Sequence, residues 1–376
     1  MRHLPFDYAV RNLGRRPLRT ALTIAASALV TALLVATAAF VRGLETTFSG
    51  AAREDVALLL SRASEGDIVR SAIPTTTATL ARGLPGVVAV SPEIHMGSTL
   101  RIDGAPYPGF VRGVTDAAWV VHDSVTLTAG ALPGPGEVIV GRLAGAQMGA
   151  PEGALGIGSR LELEGQELVV AGHFEAPGTT LEAEVWTPIG PLRGMAQRDD
   201  DSVVFVALAD ADLSELEYFV TSRQDLALIV SSAADYYRNL TAYFAPIQGL
   251  AWALAAMIAA AALFSGANTL NASVQDRVRE LAVLRAMGYS GAALARSLTE
   301  ESVLLAAAGG LIGVALARVA LAGSSFSLAM SAFALRLDAI SITVGIAGVL
   351  LLGFLGVAPA AWRVLRMPVV AGLSES

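Results

Sequence analysis

Four long apolar segments constrain the fold of this chain more than any other feature of its sequence. Each contains no charge, or a single arginine near one end, over the roughly 20 residues that are needed to cross a hydrocarbon core. The predicted spans are 20–41, 247–273, 302–322 and 339–362. At 54% hydrophobic and 16% charged residues, the chain is also too apolar for an ordinary soluble domain. The sequence therefore predicts a membrane α-helical protein with four transmembrane helices.

Arginines flank these spans asymmetrically. They precede the first span, occupy the segment between the second and third spans, and follow the fourth. By the positive-inside rule, both chain termini and residues 274–301 should face the cytoplasm, and residues 42–246 should face outward. We expect a multi-pass protein of the cell (inner) membrane. Its remaining parts are an amphipathic segment at 1–19, a short outer loop at 323–338 and a cytoplasmic tail at 363–376.

The segment between the first two spans is long enough to form an independent α+β domain. Its residues 45–246 contain 12 Arg and 26 Asp or Glu, a net charge of −14, which argues against a nucleic-acid partner. Alternating and apolar runs predict strands, and the two at 160–164 and 167–171 should form a hairpin. The other predicted strands are 87–90, 137–140 and 203–208, and the predicted helices are 45–62, 75–84, 212–222 and 233–244.

The composition of the chain excludes several kinds of binding and catalytic site. All 26 basic residues are arginine, so a Walker A nucleotide site, which requires a lysine, is excluded. There is no cysteine, and the four histidines His3, His95, His122 and His173 form no metal-binding spacing. No catalytic, cofactor-binding or metal-binding residue is predicted, and a membrane-bound enzyme is the least favoured hypothesis.

Residues 274–301 contain the most informative pattern. Asn271 or Ser273 is expected to cap a helix that runs to about Met287 and ends at Gly288, and Ser290 or Gly291 is expected to start the next helix. The apolar side of this helix is expected to consist of Val274, Val278, Leu281, Val283 and Leu284. Two interpretations fit this pattern equally well. The helix either lies on the membrane surface or docks into a groove on a cytoplasmic partner.

Small residues recur at four-residue spacing in the spans, which lets helix backbones approach closely. The candidates are Ala28, Ala32 and Ala36 in the first span and Gly309 and Gly313 in the third. They indicate packing either within the subunit or against a second copy.

Residues 274–288, Val-Gln-Asp-Arg-Val-Arg-Glu-Leu-Ala-Val-Leu-Arg-Ala-Met-Gly, resemble the signature of FtsX-like ABC transporter permeases of the MacB and LolC/LolE type. In that family a similar run lies between the second and third spans. Three further stretches are similar to the entry, the ending and the MacB-type periplasmic core domain of such permeases. The first is residues 11–13 with 15–20, the second is residues 359–363 with 368–369, and the third comprises residues 68–69, 85–87 and 136–141.

The resemblance implies a non-catalytic permease subunit that pairs with a cytoplasmic ABC ATPase, which binds ATP and Mg²⁺ in place of this chain. It implies a homo- or heterodimer of permeases, contact with membrane lipid, and a periplasmic adaptor or substrate. Export or lipoprotein extrusion is the expected role, and transmission of ATPase motion to an outer-face cell-wall hydrolase is the alternative. The residues expected to couple to the ATPase are Arg277, Arg279, Glu280, Leu281, Leu284, Arg285 and Gly288.

Overall fold

A computed structural model describes residues 14, 17–50, 52–321, 325–328, 331–335 and 337–366. The motif residues 11–13, 15–16 and 368–369 lie outside this part of the chain. The described residues divide into two compact units. One, here called the helical unit, comprises the described residues within 1–42, 246–322 and 336–376, and the other, the inserted domain, comprises those within 43–245 and 323–335.

The helical unit contains four helices that are long and apolar enough to cross a membrane. They are α1 (Pro17–Ser49), α8 (Ala245–Gln275), α10 (Gly291–Leu321) and α11 (Ala339–Arg366). A short helix, α9 (Val278–Ala286), lies between α8 and α10 in the chain. The four-helix membrane protein predicted from the apolar segments is confirmed.

The inserted domain is mixed α and β, as predicted. Its helices are α2 (Thr76–Ala81), α3 (Ala118–Val121), α4 (Ala144–Met148), α5 (Ile189–Met195), α6 (Ser214–Ser222) and α7 (Ala233–Tyr243). Its strands are β1 (Val56–Ser61), β2 (Ile73–Pro74), β3 (Val87–Ile102), β4 (Ala105–Val114), β5 (Thr126–Gly130), β6 (Glu137–Gly141), β7 (Arg160–Leu163), β8 (Gln166–Glu175), β9 (Val185–Pro188), β10 (Asp200–Asp201), β11 (Val203–Leu208), β12 (Leu228–Ser232), β13 (Ser325–Leu328) and β14 (Ser331–Ala334).

Ten strands form one sheet in the order β12-β1-β11-β3-β4-β9-β6-β8-β5, with β7 paired to β3 and β8. The β4–β9 and β6–β8 pairs are parallel and the other pairs of this sheet are antiparallel. The long strand β3 joins two halves of the sheet, because its first part pairs with β11 and its second part with β4. The predicted hairpin is confirmed as the antiparallel β7–β8 pair.

One predicted helix is wrong. Residues 45–62 were expected to continue the first span, but α1 ends at Ser49 and β1 begins at Val56. The run from Val56 to Leu60 is completely buried, since β1 lies between β11 and β12 and is covered on both faces. A strand in that position is apolar at every residue, so periodicity alone cannot distinguish it from a buried helix.

The 323–338 segment, expected to be a short loop, contains the antiparallel pair β13–β14, with Ser325 opposite Ala334.

Candidate coupling site

The segment predicted to couple to a partner forms a distinct short helix, α9. The expected cap at Asn271 or Ser273 is wrong, because α8 continues through both residues to Gln275. The helix then breaks at Arg277, whose backbone angles are φ −118° and ψ 11°. The chain therefore turns after α8, and α9 is an element of its own rather than a helix started inside the predicted segment.

The end of α9 is defined by its backbone. The amide of Gly288 donates to the carbonyl of Arg285 at 3.0 Å, and the amide of Tyr289 donates to the carbonyl of Leu284 at 3.2 Å. These two bonds form a Schellman motif, which requires the left-handed conformation that Gly288 adopts at φ +96°. The predicted helix end at Gly288 is confirmed. The predicted start of the next helix is also confirmed. The Ser290 hydroxyl accepts a hydrogen bond from the Ala293 amide at 3.1 Å, and α10 begins at Gly291.

One side of α9 packs inside the helical unit. Leu281 is 4% exposed, and Leu284 packs against the same group of apolar side chains. We call this group the inner cluster. It consists of Val274, Leu281, Leu294, Leu298, Val357, Ala360 and Val364, with Leu270 and Leu284 against it. The inner cluster thus ties α9 to α8, α10 and α11, so Leu281 points inward and not toward the exposed face.

Two arginines of the predicted set also bond inward. The Nη1 atom of Arg277 lies 3.5 Å from the carboxylate of Glu301, and both side chains are mostly buried. Arg285 donates through Nη1 to the carbonyl of Val364 at 3.5 Å. These contacts link the two ends of α9 to α10 and α11.

The opposite side of α9 is exposed and carries both charge and apolar surface. Arg279 and Glu280 are exposed, Val283 is 44% exposed and Met287 is 53% exposed. The sequence interpretation placed Val283 on the same side as Leu281, which is wrong, because residues two apart lie about 200° apart around a helix. Met287 was not among the predicted coupling residues. Its spacing of four from Val283 and eight from Arg279 was the signal that could have found it.

The small residues predicted for helix packing bring α1 and α10 together within the chain. A Cβ atom on Gly309 would lie 2.8 Å from the carbonyl oxygen of Ile24, and one on Gly313 would lie 2.6 Å from Thr31 Cβ. Ala28 is buried there, whereas Ala32 and Ala36 are half-buried. For the two glycines, the alternative of packing within the subunit is the one observed.

The inserted domain contains a buried polar cluster that the sequence analysis did not predict. It consists of Glu93, His95, Arg112, His122 and Glu184, each at most 7% exposed. Arg112 pairs with both oxygens of Glu184 at 2.6 and 2.8 Å and with Glu93 at 2.7 Å. Both histidines reach Glu93 through Nε2, His122 at 2.9 Å and His95 at 3.1 Å. The cluster lies where β3 passes between the two halves of the sheet.

Burial and charge shift the pKa values in this cluster. Burial, reinforced by the positive charge of Arg112, lowers the pKa of His95 to about 4, so this imidazole is neutral at pH 7. Burial alone would raise the pKa of Glu93, but the charges of His122 and Arg112 outweigh it and hold that pKa well below its usual range. Burial alone would lower the pKa of Arg112, but the carboxylates of Glu184 and Glu93 outweigh it and raise that pKa.

Every charged group of this cluster has a hydrogen-bond partner within the protein. Its members are sealed from solvent and bonded to one another, and Trp186 donates its indole N–H to Glu184 at 2.8 Å. His173 lies elsewhere and bonds the carbonyl of Leu155 at 2.7 Å. In the described part of the chain, no group of three or more histidine or acidic side chains is arranged to hold a metal ion. The ion pairs of Arg112 link β4 to β3 and to the residue that precedes β9.

Four apolar helices and an inserted mixed domain define a multi-span membrane protein with an extracellular domain. The sequence pattern of the MacB-like periplasmic core domain matches residues 20–217, and that of the FtsX-like permease C-terminal domain matches residues 252–369. The first match alone includes more than half of the chain. The protein belongs to the FtsX-like ABC transporter permeases with a MacB-like periplasmic core domain.

Three solved structures are similar to about half of the chain. The periplasmic region of MacB from Actinobacillus actinomycetemcomitans is 11% identical, with a TM-score of 0.41, and the match covers 50% of this chain and 94% of that one. The extracellular domain of the noncanonic ABC-type transporter YknZ from Gram-positive bacteria is 16% identical, with a TM-score of 0.37 and coverages of 47% and 99%. A domain of a putative permease protein from Porphyromonas gingivalis is 18% identical, with a TM-score of 0.32 and coverages of 46% and 85%. No curated protein matches the chain.

Proposed function

We propose that this chain is the non-catalytic membrane subunit of an ABC transporter, driven by a separate cytoplasmic ATPase that docks on α9. The observation that carries the proposal is the exposed side of α9, where Arg279, Glu280, Val283 and Met287 form one continuous stripe. A stripe of apolar anchors beside charged groups is what a helix presents to a groove on a partner. Its exposure also fits a helix lying on a membrane surface, and the experiment below separates the two.

The inward contacts of α9 suit it for transmitting motion. A displaced helix moves its neighbours only if its side chains are closely packed against theirs. Here the inner cluster holds α9 against three long helices, and the Arg277–Glu301 pair adds a partly buried ionic contact to α10. A displacement of α9 by an ATPase would therefore shift the ends of α8 and α10 with it. In this proposal Leu281 and Arg277 position α9, and the exposed residues contact the partner.

The direction of the proposed action follows from the arginine distribution. With α9 and both termini on the cytoplasmic side of the inner membrane, ATP and Mg²⁺ would be bound by the partner, and the inserted domain would act outside the cell membrane. Export or extrusion of a substrate that the inserted domain contacts is the role that this arrangement favours.

Affinity purification of the tagged full chain in mild detergent, with mass spectrometry and an ATPase assay, tests the docking helix. We expect a Walker-containing partner to copurify, and Val283→Asp or Met287→Asp to abolish its recovery. Arg296→Ala is the matched control, because Arg296 is exposed on α10 and pairs with Glu300 at 2.9 Å, outside α9. Retention of the partner by both Asp variants would refute docking through this face, and absence of any such partner would remove the transport proposal. Capture of a cell-wall hydrolase together with the ATPase would favour the regulatory alternative.

We further propose that a second permease copy packs along α8. Within the chain, α8 is the least buried of the four long helices. Only 6% of its apolar 18-residue stretch is buried, compared with 44% of the corresponding stretch of α1. The chain has no cysteine, so single cysteines report proximity cleanly. Leu254→Cys on α8 should give a disulfide-linked dimer in membranes. Val319→Cys on α10, which is also exposed, should not, and the reverse result would place the dimer contact elsewhere.

A further inference from the structure

The strand at one end of the ten-stranded sheet, β5, has an uncovered edge. It pairs with β8 on one side, and among the described residues no strand pairs with its other side. All five residues from Thr126 to Gly130 are exposed, and so are the next two, Ala131 and Leu132. Consecutive backbone amides of a strand point to opposite sides. About half of the backbone donors and acceptors of β5 therefore face outward, away from β8.

The strand at the opposite end of the sheet, β12, shows how such an edge is protected. None of the residues Leu228–Ser232 is exposed, and α6 and α7 lie against the strand. Proteins also protect sheet edges with charged residues or proline. β5 has a bulge between Leu127 and Ala129, but residues 124–136 carry no charge and the strand contains no proline. The edge of β5 is therefore open to pairing with another strand.

β5 is held in an extended conformation although its side chains are not buried. The hydroxyl of Thr128 donates to the carbonyl of His173 at 3.1 Å, and the hydroxyl of Thr126 donates to the carbonyl of Glu175 at 3.4 Å. Both bonds go to β8, so they order β5 and leave its outer edge available. A partner would bind a preformed strand and would not lose affinity by ordering it.

The side chains along β5 leave room for a larger side chain on a neighbouring strand. The middle of the edge consists of Ala129, Gly130 and Ala131. A larger residue stands on each side of these three, Leu127 with 37% exposure and Leu132 with 52%. Side chains on paired strands pack against one another. An incoming strand would therefore fit best with a large apolar side chain over the small residues, between the two leucines.

Two features favour a segment of another protein over a second copy of this chain. A five-residue strand buries much less than the roughly 800 Å² per partner that is typical of a stable interface between folded proteins. The net charge of −14 over residues 45–246 also makes two inserted domains repel each other, and it attracts a segment with positive charge.

We infer that β5 is a docking edge, to which an extended segment of a partner polypeptide adds as an eleventh strand of the sheet. The backbone of that segment pairs with the outer edge of β5, and an apolar side chain at its centre covers residues 129–131. Basic residues in the segment match the negative charge of the inserted domain. This inference does not depend on the proposed transport function.

Hydrogen exchange of the full chain in detergent, measured by mass spectrometry with and without peptides, tests the edge. The probes are arginine-capped nonapeptides of alternating threonine and valine, with glycine, valine, leucine or phenylalanine at the centre. We expect the peptides with a large apolar centre to slow exchange of the amides of residues 126–132. Versions that are N-methylated between the arginines keep the charge and side chains but cannot pair as strands, so they should bind at least about tenfold more weakly. Absence of protection by every peptide, or equal binding of the N-methylated versions, would overturn the inference.

Leu127→Lys should weaken binding of the best peptide by about tenfold, because a lysine on the edge protects it and repels the arginine-capped strand. Leu80→Lys is the matched control, since Leu80 lies on α2 and is 36% exposed, almost the same as Leu127. Equal weakening by the two variants would show charge repulsion without strand pairing and would overturn the inference. Leu127→Cys tests the second copy, because the chain has no other cysteine. A disulfide-linked dimer of Leu127→Cys but not of Leu80→Cys would assign the edge to a second copy and would also overturn the inference.

Discussion

Different interactions stabilise the interior of the helical unit and the interior of the inserted domain, although both units are parts of one chain. In the inserted domain, apolar side chains from a ten-stranded sheet form several separate core clusters, and a cluster of paired charges is also buried. In the helical unit, glycines at Gly309 and Gly313 bring helix backbones into contact, and the inner cluster covers only the α9 end.

The difference follows from what surrounds each unit, which is water for the inserted domain and lipid for the long helices. In water, burial of apolar surface drives association, and a sheet can pay the cost of a buried charge if every charge is paired. Lipid tails are as apolar as leucine, so helices gain little by burying large apolar residues and associate instead through close backbone contact. Substitutions should therefore act through charge in one unit and through volume in the other.

The largest effect is expected for Arg112→Met. The substitution leaves Glu93 and Glu184 buried without their shared cation, which costs about 3–5 kcal/mol of stability. Hydrogen exchange of β3, β4 and β9, measured by mass spectrometry on the full chain, should show loss of protection there while α10 stays protected. Arg112→Lys keeps a charge but loses the two-oxygen contact with Glu184, and it should give a smaller loss. Unchanged protection in Arg112→Met would show that the cluster does not stabilise the sheet.

Acidification should weaken the same region with a defined profile. The pKa of His95 is about 4 in the folded state and 6.5 ordinarily, so between these values the unfolded chain binds a proton that the folded chain does not. The contribution of neutral His95 to the free energy of unfolding is therefore fully present above pH 6.5. It falls by about 3 kcal/mol as the pH drops to 4. The lowered pKa of Glu93 adds a loss of the same sign below pH 4.5.

The fluorescence of buried Trp186, in a chain whose other three tryptophans are replaced by phenylalanine, measures this loss in denaturant titrations from pH 7.5 to 4. His95→Gln should flatten the profile between pH 6.5 and 4, because glutamine does not titrate. A profile that is equally steep in this variant would assign the pH dependence to other groups.

A moderate effect is expected for Gly313→Val in the helical unit. The added side chain meets Thr31 and the backbone of α1, and overpacking of this kind costs about 1–3 kcal/mol. The melting temperature of the purified chain in detergent should fall, and hydrogen exchange in the inserted domain should not change. Gly249→Val, at an open position of α8, is the control and should melt like the parent chain.

The smallest effect is expected for Arg160→Ala. Arg160 pairs with Glu167 at 2.9 Å, but both side chains are mostly exposed, so the pair contributes about 0–1 kcal/mol. Equilibrium unfolding at low and high salt should place this variant within that range, with the difference vanishing at high salt. A loss as large as that of Arg112→Met would mean that burial is not what separates the two arginines.

Local pattern was sufficient to predict several elements. The four spans needed only the length of uncharged sequence, the β7–β8 hairpin needed alternation around one turn, and the end of α9 needed a glycine that adopts a positive φ. Each of these depends on residues that are close together in the sequence, so their physical cause is visible without the fold.

Tertiary structure decided the rest. Val56–Leu60 is a strand and not a helix because β11 and β12 flank it on both sides, and these neighbours come from more than 140 residues away in the chain. Val283 faces outward and Leu281 inward because α10 and α11 cover only one side of α9. The cluster of Glu93, Arg112 and Glu184 forms only when β3, β4 and the residue before β9 come together, since no short spacing relates its members. Long-range pairing assembles these sites, and a single sequence does not record which distant residues will pair.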